Sequence, residues 1–195
     1  MKLRFTYVLL IFIIIICSST IPNYRYSKKA YNQEENTILW SNDRKLTWED
    51  FKGVPDSSSQ SVLVTVAGTT SVINFEYKTI KNMMTSYKIE SIFVKNKSWT
   101  ITSDTLVLAH EQLHFDITEL YARRIRKTFD SLKSRKNYIE DNYVKVYDHN
   151  IMQKNELDDL YDNQVYGNNM NQNRWIKKIS NEILKLKKYE YLPED

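Results

Sequence analysis

In the stretch LVLAHEQLHFDITELYARR, residues 106–124, two of the chain's three histidines stand four residues apart, with Glu111 directly after the first. On an α-helix that spacing is about forty degrees of rotation and one turn of rise, so His110 and His114 share a face and both imidazoles reach one ion. Glu111 stands about a hundred degrees round from His110, outside the same coordination shell but within reach of a water at the ion's open position. Two neutral histidines in this arrangement hold zinc, a third protein ligand completes the cage, and the carboxylate takes a proton from the bound water as it attacks a carbonyl. The chemistry expected is hydrolysis of a peptide bond, with His110 and His114 as ligands and Glu111 as general base and later proton donor. A competing reading makes the histidines a buried polar pair, since they share their face with Leu106, Ile117 and Tyr121 and can hydrogen-bond each other.

The surrounding pattern supplies elements to hold these residues. Leu106, Ala109, Leu113, Ile117, Leu120 and Tyr121 recur at intervals of three and four, and Ser103 or Asp104 can cap the start, so the motif lies on a helix. Ahead of it, Val62, Val64 and Val66 alternate before Gly68, Ile73, Phe75 and Tyr77 alternate after it, and Tyr87, Ile89 and Phe93 continue the pattern before a turn at Asn96 and Lys97. These read as strands of a small, mostly antiparallel sheet. In LTWEDFKGVP, Thr47 is an N-cap with Asp50 at the capping-box position, and Gly53 with Pro55 ends a short helix that delivers Trp48 and Phe51 to the core. Two further helical patterns follow the motif. One runs from about Tyr138 through Tyr143, Tyr147, Leu157 and Tyr161, the other from about Asn171 to Lys188 through Trp175, Ile179, Ile183 and Leu186. Between them YDNQVYGNNMNQ, residues 161–172, reads as a loop by composition. The fold class expected is α+β: a small antiparallel sheet, then the motif helix, then two C-terminal helices.

The N-terminal MKLRFTYVLLIFIIIICSST has a basic start, an apolar run and small polar residues, the layout of a secretory signal over residues 1–19. Its apolar run is about half of the roughly twenty residues that a spanning helix needs. Cys17, the only cysteine, stands where a lipoprotein signal carries its lipid, although Ile16 before it is bulky. Residues 20–36 form a polar spacer and residues 37–195 one domain, expected to be exported: periplasmic, extracellular or lipid-anchored to the cell envelope. The membrane is reached only through the leader or a lipid on Cys17, and no disulfide can form within the domain. The net charge of +4 comes from acids and bases mixed along the chain, and nothing in it points to nucleic acid. Arg123, Arg124, Arg126 and Lys127 read as a solvated helix face, with Glu119 pairing Arg123 at the i, i+4 spacing.

Three passages also resemble a family. LTWEDFKGVPD, NKSWT and HEQLHFDITELYARR are similar to the opening signature, the strand before the helix and the central motif of domain of unknown function 922, bacterial exported proteins grouped with zincin-type metallopeptidases. The likeness runs from about Ile38 to Trp175 and implies a minimal zincin-like fold with zinc on His110 and His114. The family's closing passage carries a Tyr-Asp pair, a histidine, a glutamine and a tryptophan. This chain keeps Tyr161, Asp162, Gln172 and Trp175 but has no histidine there, which leaves the third ligand open among Tyr166, Asp162 and His149. Two functions follow: a zinc-dependent hydrolase of a protein or peptide substrate, or a non-catalytic exported binding domain on a zincin scaffold with an incomplete metal site.

Overall fold

The computed structural model describes residues 36–55, 65–165 and 168–192. The leader with Cys17, nearly all of the spacer, Val62, Val64 and Tyr166 lie outside the described residues.

Ile73, Phe75 and Ile89 put alternate side chains into the core, and the backbone follows: β3, Ser71–Ile80, pairs antiparallel with β4, Met83–Val94. The two-residue connection Lys81 and Asn82 has φ of 50° and 60°, the left-handed pair that matches the twist of a tight hairpin. On the other edge of β4 lies β1, Thr37–Leu39, with Ile38 opposite Phe93, so the sheet order is β1-β4-β3. A second pair stands apart: β2, Ala67–Gly68, runs antiparallel to β5, Trp99–Thr100. Gly68 is required at this crossing, because a Cβ there would sit 2.9 Å from Trp99 Nε1. The strand expected up to Val66 is corrected within the described residues. Val66 itself is exposed and precedes only the two residues of β2.

Helix α1, Thr105–Ser134, carries the histidine motif and runs about 45 Å through the middle of the domain. Asp104 caps it, its Oδ1 accepting from Leu106 N at 2.7 Å. The far end closes on Lys136 in the left-handed conformation, with Asn137 N donating to Leu132 O at 3.0 Å. One side of α1 packs on β3 and β4, where Phe75, Tyr87, Phe129 and Tyr143 form an edge-to-face aromatic cluster. The other side meets α2, Glu140–Val165, and α3, Asn169–Lys185. This is the α+β architecture expected.

The first segment is tied to α1 by polar contacts. Trp40 Nε1 donates to Asp116 Oδ1 at 2.7 Å, and Leu46 N donates to Gln112 Oε1 at 2.7 Å. Thr47 to Asp50 forms a single 3-10 turn in which Thr47 N donates to Asp50 Oδ2 at 2.8 Å, and it lays Trp48 and Phe51 against the core as expected. Glu119 pairs Arg123 at 2.8 Å, but the solvated face expected around it is half wrong. Arg123 and Glu119 are each 2 % exposed, because the last turn of α3 and the chain after it cover them: Arg123 donates to Ile183 O and Arg126 to Tyr189 O. Among the described residues, no helix is long and apolar enough to cross a membrane.

Candidate metal centre

His110 and His114 lie one turn apart on α1, and their Nε2 atoms approach to 3.2 Å. Facing them from α2 is Asp162, whose Oδ1 stands 3.1 Å from His110 Nε2 and 2.9 Å from His114 Nε2. The region expected to be a loop from Tyr161 onward is helical through Val165, because Tyr161 and Val165 are buried four apart on one face and carry α2 onward. That extra turn aims Asp162 at the histidines. His149, the second candidate for third ligand, is exposed and lines a different groove with Arg124 and Lys127, so it takes no part. Of the described candidates Asp162 is the one that meets the histidines; Tyr166 lies outside the described residues.

The three donor atoms form a triangle with sides of 2.9, 3.1 and 3.2 Å. A tetrahedral ion with bonds of about 2.0–2.1 Å separates its ligand atoms by about 3.3–3.4 Å, so the triangle accepts one with an opening of a few tenths of an ångström. Hydrogen bonding can also join the three, since Asp162 Oδ1 can accept from both Nε2–H groups. The group His110, His114 and Asp162 can hold a metal ion.

A second carboxylate orients one of the rings. Asp158 Oδ1 lies 2.9 Å from His114 Nδ1, which settles Nδ1 as the proton-bearing nitrogen and leaves Nε2 for the triangle. The other oxygen of Asp158 is 2.7 Å from Lys154 Nζ. Burial opposes charging His114, but Asp158 and Asp162 more than offset it and push the ring up to about 10. Burial likewise works against the Asp162 carboxylate, and hydrogen bonds from both histidines outweigh it, holding the group well below the usual carboxylate range. Four carboxyl groups, Asp104, Glu111, Asp158 and Asp162, line the cleft with the ammonium of Lys154.

Glu111 is 5 % exposed and lines the same cleft as His110, His114 and Asp162. Among the described residues, no hydrogen bond engages its carboxylate. The cleft encloses about 790 Å³ between the motif face of α1, α2 and the segment around β2. That segment is fastened to the motif by Thr69 Oγ1 donating to Glu111 O at 3.3 Å. Behind the site Tyr161 stacks on His110 with centroids 4.7 Å apart and meets Trp175 at 5.6 Å, a brace for the first ligand. Burial pushes the Tyr161 hydroxyl up, and it stays a neutral phenol. Gln172 Nε2 donates to Leu106 O at 2.9 Å and Trp175 Nε1 to Gln164 Oε1 at 3.1 Å, so both hold α3 to the elements that carry the site.

Asp158 and Lys154 were not foreseen. Their signal is the four-residue spacing Lys154, Asp158, Asp162, a stripe on α2 that mirrors His110 and His114 on α1. No family model, curated protein or solved structure matches the chain, so the chemistry open to this site rests on its own residues.

Proposed function

We propose that the protein is an exported, zinc-dependent hydrolase of peptide bonds, the zincin-like activity that its resemblance implies. The observation that carries this reading is the convergence of His110, His114 and Asp162 with the Glu111 carboxylate, which no described residue engages, in the same cleft. Zinc bound there supplies a Lewis acid that acidifies water and polarises a carbonyl.

The chain's own residues do the rest. His110, His114 and Asp162 would hold the ion, and water and substrate would reach it through the cleft they line. Asp158 keeps His114 in the tautomer that presents Nε2. With an ion bound, Glu111, itself 5 % exposed, would receive the proton of the attacking water and pass it to the departing amine. A cleft of this volume takes a few residues of an extended peptide. The alternative, a non-catalytic binding domain, is motivated by the missing histidine, and the Asp162 carboxylate beside His110 and His114 favours the hydrolase over it. Export rests on the leader at residues 1–19.

The test is cleavage of a denatured mixed-peptide pool by zinc-loaded protein, followed by mass spectrometry with and without chelator. Chelator-sensitive cleavage supports the hydrolase. Fully loaded protein that cuts nothing in the pool supports the binding domain.

A further inference from the structure

We propose that Lys154 is a positioning residue of the metal centre: it pins Asp158 so that the His114 ring is held for metal, and the affinity for a divalent ion depends on it. The proposal rests on the metal-site reading above. Asp158 spends its two oxygens separately, Oδ1 at 2.9 Å from His114 Nδ1 and Oδ2 at 2.7 Å from Lys154 Nζ. With Oδ2 held, the carboxylate has one orientation that keeps the ring hydrogen bond. Without it, the group is free to rotate off His114 and into the cleft.

Helix stabilisation does not account for the pair. In the order Lys then Asp at i, i+4 the charges run against the helix dipole, the weaker arrangement. The same helix carries the favourable order in Asp141 and Lys145, and there both side chains stand in solvent at 65 and 72 % exposure. Lys154 and Asp158 are instead 15 and 14 % exposed, and a long amine draws its stem into the cleft wall at a cost in rotamer freedom. Among the described residues that line the cleft, Lys154 is the single lysine or arginine.

Charge and position make opposite predictions, which gives the proposal its edge. An ammonium close to a bound dication repels it, so a residue acting through charge alone would tighten metal binding when removed. A residue acting through Asp158 loosens binding when removed, by at most the about 10–100-fold that losing an outer partner of a ligand typically costs.

The experiment measures Co²⁺ and Zn²⁺ affinity by competition with a chromophoric chelator, together with the visible spectrum of the Co²⁺ form. It uses the parent, Lys154→Met and Lys154→Arg, with melting in chelator as the check on folding. Lys154→Met is expected to bind more weakly, by up to about 10–100-fold, with an altered Co²⁺ spectrum, and Lys154→Arg, which restores a donor to Asp158, to recover most of the loss. If Lys154→Met does not fold, the comparison passes to Lys154→Gln, whose expected direction is the same. A metal-binding parent beside a neutral variant that binds as tightly or more tightly overturns the proposal alone. A parent that holds neither ion overturns the metal reading and this proposal with it.

Discussion

His114 Nε2 meets Asp162 Oδ1 at 2.9 Å, so the group that could hold a metal ion draws two members from α1 and the third from α2. Asp162→Ala should therefore lower zinc affinity by more than the about 10–100-fold that an outer partner costs, while leaving the fold intact. Chelator competition on the purified variant checks it. Stoichiometric zinc that withstands the competition as well as in the parent would place the third donor elsewhere.

Glu111→Gln keeps shape and both histidines but cannot accept a proton. Zinc content should equal the parent's, while turnover of any cleaved peptide should fall on the order of a hundredfold to ten-thousandfold. Cleavage that stays chelator-sensitive and undiminished in this variant would rule out Glu111 as the base.

The metal-free protein should lose stability as pH rises. The folded His114 value of about 10 lies above the ordinary 6.5, so its contribution is complete below about pH 6.5 and drains away toward about pH 10. Melting midpoints in chelator should fall over that window, and saturating zinc should flatten the fall because the metal displaces the proton. A level midpoint in chelator across the whole window would count against the His114 assignment.

On the opposite side of α1, Glu119 accepts from both Arg123 and Arg126 with almost no solvent. Glu119→Gln takes a counter-charge from the buried Arg123, which keeps Glu190 at 3.3 Å, and from the part-buried Arg126, so the loss should reach at most the about 3–5 kcal/mol that breaking a buried pair costs. The melting midpoint should drop on the order of 10 °C, read by calorimetry, with metal content unchanged. A midpoint within a degree of the parent's would show that the C-terminal segment does not seal this network.

The sheet and the three helices were legible because their apolar periods are long and clean: alternation in Ile73, Phe75 and Ile89, threes and fours in Leu113, Ile117 and Leu120. Asp162 was harder to place, since the asparagines and glycine that follow it give the look of a loop, while the burial of Tyr161 and Val165 that prolongs α2 is a tertiary fact. Asp158 and Lys154 have the spacing of any surface ion pair, and only the packing of α2 on α1 turns them inward. Arg123 looked solvated for the same reason: the segment that covers it lies about sixty residues further on.

Successive turns of α2 present Lys154, Asp158 and Asp162 to the two histidines of α1. A slip of α2 by one turn, about 5.4 Å, would carry Asp158 to the triangle and bring the ammonium of Lys154 against the N–H of His114, donor facing donor. The stripe is thus a vernier between two helices. It distinguishes the correct axial setting from its nearest neighbour by the sign of a hydrogen bond, so the residues that serve the metal also tell the two helices where to stop sliding.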